Sequence, residues 1–255
     1  MRTQHQNPPR GGHTKVQAAS GAGRIKRALL WLIVGFAIAG AMALNARGAR
    51  ADEGSGLSLS ANAAIASDYR FRGISLSDRD FAIQGGFDVE HESGFYLGTW
   101  GSSIESYAGS EFELDIYGGY ASEIGGLSTD IGLLAYTYPG SSGTYYLEVY
   151  GSVGGNAGPA SWTLGGAYVW GQENTGNQDN IYLYLDGEMP LGDSPFSLMG
   201  HVAYEDGAFG TNKWDWHGGV AYNFEQFTLS LKYIKTNVDA REGKGAVVAM
   251  VSASF

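Results

Sequence analysis

From residue 57 onward the chain alternates. Short runs in which every second residue is apolar follow one another, broken by Gly, Pro, Asn, Asp and Ser, and no stretch keeps a helical period. Twelve such runs are predicted as strands: 57–72, 80–90, 95–104, 111–122, 127–138, 144–153, 161–171, 179–189, 196–205, 214–224, 227–237 and 244–255. Most are long enough to cross a bilayer core at a tilt of about 45°, and about twice as long as strands of soluble sheets.

The two faces of these runs differ in kind. In 111–117, Phe112, Leu114 and Ile116 share one face while Glu111, Glu113 and Asp115 share the other; in 179–189, Ile181, Leu183, Leu185 and Met189 oppose Tyr182, Tyr184, Asp186 and Glu188. A soluble sandwich alternates too, but its polar face is wet and rich in Lys and Thr, whereas Lys is nearly absent from these runs and Gly is abundant. Aromatics on the apolar face gather at run ends. Tyr69, Phe81, Phe112, Tyr145, Trp170, Tyr204, Trp214 and Tyr233 mark one rim; Phe95, Tyr120, Trp162, Phe196, Tyr222, Phe224, Phe227 and Phe255 mark the other, as interfacial girdles require. The fold expected is all-β: an antiparallel up-and-down transmembrane barrel of about 12 strands. An even count puts both chain ends on one side, where the periplasm would be. The connections on the other side, such as 73–79 and 206–213, are short, and none is expected to fold into the lumen as a plug.

The last run ends on Val247, Ala249, Val251, Ala253 and Phe255 on one face. A barrel must pair its last strand with its first to abolish the sheet edge, so Phe255 is expected to act as an interfacial anchor and as an assembly signal read by the barrel-assembly machinery. Alternation alone also describes the last strand of a soluble core.

Composition and charge narrow the picture. The chain has 40 Gly and no Cys, which excludes a disulfide scaffold and any Cys-ligated zinc or iron–sulfur site. Of 16 Lys and Arg, eight lie in the first 51 residues, which hold no acid, so residues 52–255 carry all 26 acids. A tract that acidic repels nucleic acid. The leader reads as targeting: Lys26 and Arg27 precede an apolar stretch over 28–44, followed by Ala49-Arg50-Ala51, a small-x-small cleavage pattern. Residues 1–51 are expected to be a signal peptide with a long basic leader, and 52–255 the outer-membrane barrel. The apolar stretch also approaches the length of a membrane-spanning helix, so an uncleaved anchor is the alternative.

The first strands carry a resemblance. Ser67-Asp68-Tyr69-Arg70-Phe71-Arg72-Gly73-Ile74-Ser75, then Gln84-Gly85-Gly86-Phe87-Asp88, Gly94-Phe95-Tyr96-Leu97-Gly98-Thr99-Trp100-Gly101-Ser102, Glu113-Leu114-Asp115-Ile116-Tyr117-Gly118-Gly119-Tyr120 and Tyr136-Thr137-Tyr138-Pro139-Gly140 resemble the TorF-type family of outer-membrane porins. The resemblance is specific over 66–140 and looser beyond. It implies an outer-membrane barrel and a channel in a Gram-negative envelope, and brings no catalytic residues to carry over.

Motifs for catalysis are poor. The chain has no phosphate loop, nucleophile elbow or His-Glu-x-x-His, and no cofactor is expected. Glu111 and Glu113, about 6.6 Å apart on one strand face, have the spacing of an acid–base pair, but a solvated wall accounts for them as well. The inward phase gathers twelve acids, among them Glu113, Asp115, Glu148 and Asp186, against Arg70, Arg72 and Lys232. Low-dielectric walls focus such a field and favour cations. Asp115, Glu148 and Asp186, with Tyr150 and Tyr184, are expected nearest mid-strand, with Glu113, Lys232 and Arg70 completing the pore lining. His201 and His217 flank one connection. If they pair directly they stand close enough to share a divalent ion or to repel when both are protonated, a candidate metal or pH site; the alternative, favoured because two imidazoles without a third ligand hold an ion weakly, is that each simply hydrogen-bonds to a lumen neighbour. The expected role is a non-enzymatic, porin-like channel for passive diffusion of small hydrophilic, preferably cationic, solutes, with outer-membrane lipid as its other partner. The alternatives are a non-conducting structural or adhesive barrel, and a lipid-modifying barrel enzyme.

Overall fold

In the computed structural model, which describes residues 56–255, twelve strands close into one antiparallel barrel. They are β1 (Leu57–Ala66), β4 (Ala82–His91), β5 (Phe95–Tyr107), β6 (Ser110–Ile124), β7 (Leu127–Thr137), β8 (Tyr145–Ala157), β9 (Ala160–Val169), β10 (Asn180–Pro190), β11 (Phe196–Gly207), β12 (Gly210–Phe224), β13 (Phe227–Thr236) and β14 (Ala246–Ser254); β2 (Arg70–Phe71) and β3 (Ile74–Ser75) pair with each other apart from the ring. Each strand of the ring pairs with its neighbour in the ring's sequence order. The ring closes where β1 meets β14, from Asn62 opposite Ser254 to Ala66 opposite Met250. Phe255 extends the seam: its N–H donates to the Ala61 carbonyl at 2.9 Å, and the Ala61 N–H returns a bond at 3.1 Å. The targeting segment expected over 1–51 lies outside the described residues.

Burial runs opposite to that of a water-soluble domain. Leu97, Ile131, Leu133, Leu183, Leu231 and Val247 are exposed on the outer wall, while Glu113, Glu205, Lys213 and Asp215 are buried inside. Charged side chains are almost never fully buried in a soluble fold, and so much contiguous apolar surface does not face water in a monomer. The wall therefore has hydrocarbon as its solvent, and ring closure leaves no strand edge for that solvent to strip. Outward aromatics pair across strands near the rims: Phe95 with Tyr120 and Phe196 with Tyr222 at the rim that holds the chain termini, and Tyr204 with Trp214 at the opposite, loop rim.

Four expectations are corrected. The first run, predicted over 57–72, stops at Ala66: the Ser67 N–H still donates to the Ala249 carbonyl at 2.8 Å, but the Ser67 hydroxyl takes the Ala249 N–H at 2.9 Å and ends the ladder. Residues 67–81 are thereby released and fold into the lumen as a small hairpin of β2 with β3, contrary to the expectation that no connection plugs the barrel. The short span 73–79 is only the latter part of that released segment. Tyr69 consequently leaves the girdle: it is buried, and its hydroxyl donates to Glu113 at 2.6 Å. β5 and β12 at the loop rim and β8 at the opposite rim run beyond their predicted ends, with register shifts before Tyr107 and Gly207. Lys213, predicted in a loop, is thus a wall residue.

Candidate functional site

The hairpin occupies the lumen's loop-end half. Its turn has positive φ at Arg72 (46°) and Gly73 (80°), the two-residue geometry that matches strand twist. A Cβ at Gly73 would overlap Thr236 Cγ2 and lie 2.7 Å from Asp215 Cβ, so only glycine lets the tip touch β12 and β13. Asp68 ties the hairpin internally, accepting from Arg70 Nε and Ser75 Oγ, both at 2.6 Å. Arg70 then reaches out, donating to the carbonyls of Gly73, Glu242 and Lys244 at 2.9–3.0 Å. Arg70 is therefore a fastening between hairpin and the β13–β14 connection, and not the strand-borne wall residue expected.

Arg72 is the bolt. Its Nη2 donates to Glu148 at 2.5 Å and its Nη1 to Glu205 at 2.8 Å, joining the hairpin to β8 and β11, three places apart in the ring. The guanidinium lies over the rings of Tyr182 and Phe71, 4.3 and 4.8 Å from their centroids. Lys213 pairs with Glu205 and donates to the Arg72 carbonyl at 2.8 Å. Tyr136 gives Glu148 a further bond at 2.9 Å and Asn180 gives Glu205 one at 3.0 Å. Buried carboxylates persist when paired and hydrogen-bonded in this way.

Below this layer the histidines meet. His201 and His217 are directly opposite in the β11–β12 register, with ring planes 5° apart and centroids 5.0 Å apart. His201 Nδ1 lies 2.7 Å from Asp186, and Nε2 lies 3.2 Å from Asp215 and 3.0 Å from the Tyr182 hydroxyl. Two parallel rings cannot aim nitrogens at one ion about 2.0–2.1 Å away, and among the described residues no three His, Asp or Glu side chains converge as a metal site.

The remaining expected residues are spread along the lumen. Glu113 is buried, bonded by the Tyr69 and Tyr138 hydroxyls. Asp115 faces inward two positions on, buried between Trp100 and Tyr136 of the neighbouring strands, and its Oδ1 has no hydrogen-bond partner. Asp115 and Glu148 sit in the loop-end half and Asp186 lower, so the three do not form one ring. Tyr150 shares a 2.6 Å bond with Tyr96, which also donates to Asp130; Tyr117 donates to Asp88 at 2.5 Å. Lys232 shares a cavity of about 230 Å³ with Asp186, Glu188 and His217. Inward tyrosines lie flat on inward glycines of adjacent strands: a Cβ at Gly132 or Gly165 would overlap the ring of Tyr150 or Tyr184. The abundance of glycine thus has a packing cause.

Sequence reasoning missed Lys213, Tyr182 and the folding of Arg72 into a bridge. One signal was present: an Arg-Gly pair inside a run dense in charge, which suits a positive-φ turn better than a strand.

These features define a class, a closed antiparallel barrel built inside out, with a charged lumen partly filled by one connection. Residues 50–255 match the family described as "Bacterial protein of unknown function (Gcw_chp)", and the chain belongs to that family. No curated protein sequence matches it. Among solved structures it is similar to the NanC porin in a rhombohedral crystal form, with 11% identity, 78% of this chain and 99% of that chain covered, and a TM-score of 0.52. It is similar as well to a chain solved in work on in-meso crystallization of membrane proteins, with 10% identity, 77% and 83% coverage and a TM-score of 0.52. At such identity the likeness concerns the fold.

Proposed function

We propose that the protein is a porin-like channel of the bacterial outer membrane, TorF in type, that passes small hydrophilic solutes and prefers cations. The observation that carries this is the inside-out charge distribution: an apolar wall around a lumen whose acids, Glu113, Asp115, Asp186 and Glu188 among them, outnumber the inward bases Arg70, Arg72, Lys213 and Lys232. The fold shared with a porin supports it. In this reading residues 1–51 direct export and are removed, Phe255 is read during barrel assembly, both termini are periplasmic, the hairpin of 67–81 is the constriction, and no catalysis is involved. A field focused by low-dielectric walls raises cation occupancy and repels anions.

A second reading is favoured by one specific observation. The Arg72 bridge to Glu148 and Glu205 crosses the lumen, as a closed network in a non-conducting structural barrel would. Planar-bilayer recordings of the purified protein separate the two. Discrete steps with a reversal potential on the cation side under a salt gradient support the channel; a silent bilayer with folded protein inserted supports the structural barrel.

A further inference from the structure

Between the inward hairpin and the wall, at the loop rim, lies a cleft of about 340 Å³, within the range of roughly 300–1,000 Å³ of small-molecule pockets. Phe71 comes from the hairpin; Tyr107, Tyr138, Tyr146 and Phe209 come from the wall and its connections, with Glu113 among the polar residues at the lining. The rings form a continuous arc: Tyr107 to Tyr138 at 4.8 Å, Tyr138 to Tyr146 at 6.3 Å and Tyr146 to Phe209 at 5.1 Å, each edge to face.

Among the described residues, two carboxyls in this region have no partner cation. Glu113 is 1% exposed, and the bonds it receives from Tyr69 and Tyr138 come from neutral hydroxyls, which orient a carboxylate without cancelling its charge. Asp115, on the same inward face, is 8% exposed with one oxygen unbonded. The nearby cations are already committed, Arg72 to Glu148 and Glu205, and Lys213 to Glu205. A buried carboxyl without a partner cation either keeps its proton or gives it up to a positive group that reaches it, so a cation that binds there displaces the proton and takes its place. An inorganic ion would leave the aromatic arc without a role, whereas a cation with an apolar body uses both, through ion pairing at one end and ring contact or cation–π attraction at the other.

We propose that this cleft binds organic cations, with an ammonium or guanidinium head at Glu113, Asp115 one step further along the same face, and a planar or short apolar body against Tyr107, Tyr138 and Phe209. This deepens the channel reading by naming a solute class, and rests on that reading only for the passage of the bound cation through the barrel.

Calorimetric titration of the folded protein in detergent tests it with four probes: phenethylammonium, neutral 2-phenylethanol, anionic phenylacetate, and methylammonium as a head without a body. Phenethylammonium should bind at least about tenfold more tightly than each of the others, a difference of about 1.4 kcal/mol. Glu113→Gln should weaken it about tenfold or more by removing the charge-assisted contact, and Tyr107→Leu, at a half-exposed rim position, should weaken it less while leaving methylammonium unchanged. If Glu113→Gln fails to fold, the probe series and Tyr107→Leu still decide. Equal binding of 2-phenylethanol, or no binding of phenethylammonium, overturns the proposal. Phenethylammonium binding to a barrel that never conducts upholds this site and sinks the channel reading; cation-selective conductance without phenethylammonium binding does the reverse.

Discussion

In the loop-end half of the lumen Arg72 and Lys213 hold Glu148 and Glu205 in direct ion pairs. In the terminal-end half Asp88 and Asp130 are held by the hydroxyls of Tyr117 and Tyr96, and Asp186 by one nitrogen of His201. The first half spends its positive charge on fixing a segment in place, so its Glu148–Glu205 layer is close to neutral and mechanically tied. The second leaves carboxylates oriented and only partly compensated, with space around Asp186, Glu188 and Lys232. In the channel reading, the difference assigns tasks: the upper layer governs how much passes, and the lower governs the sign of what passes.

The largest effect is expected from breaking the upper layer. Arg72→Ala leaves Glu148 without its cation and Glu205 with Lys213 alone; loss of one partner of a buried pair typically costs about 3–5 kcal/mol. Folded protein should lose its heat-resistant gel mobility at a lower temperature, and single-channel conductance should rise as the hairpin loosens. Stability and conductance both equal to the unaltered protein's would remove the bolt from the account.

A smaller effect is expected where tyrosine meets glycine. Gly165→Ala places a Cβ where the Tyr184 ring lies, and such overpacking costs about 1–3 kcal/mol. The ring should swing into the lumen, lowering conductance without changing ion preference, so a change in reversal potential with conductance preserved would argue against that packing role.

Selectivity should respond to the lower half and not to the ion-paired Glu148–Glu205 layer. The combination Asp186→Asn with Glu188→Gln is expected to move the cation-to-anion permeability ratio toward unity while the barrel stays folded, since inward substitutions do not meet lipid. Glu148→Gln, whose charge is already cancelled by Arg72, should affect stability and leave the ratio nearly unchanged. The opposite ranking, read from reversal potentials, would collapse the comparison between the halves.

The smallest effect concerns pH. An imidazole gains positive charge as pH falls, and His201 stands against Asp186, Asp215 and the hydroxyl of Tyr182, with Tyr184 and His217 against its ring faces. Lowering pH far enough to add a proton to either ring should therefore reduce cation preference, and His201→Gln with His217→Gln should abolish that part of the change. A shift that persists in the double substitution would place its origin elsewhere.

What the sequence determined by itself was everything governed by a period of two. The even set of strands, the outward Ile181, Leu183 and Leu185, the inward Tyr182, Tyr184 and Asp186, and the closing strand to Phe255 all follow from alternation, because a strand between lipid and lumen has one solvent on each side and side chains must obey both. The register was left open where it mattered for chemistry. Both His201 and His217 were readable as inward, but the shift before Gly207 and the turn beyond it decided that they stack. The inward hairpin was not legible either: through 67–72 the chain still alternates, and its departure depends on Ser67 taking the Ala249 N–H and on carboxylates of Glu148 and Glu205, distant in sequence, waiting for one guanidinium. Alternation reports only a residue's own strand, whereas a bridge across the lumen is a property of three segments at once. Only the closed ring brings them within hydrogen-bonding distance.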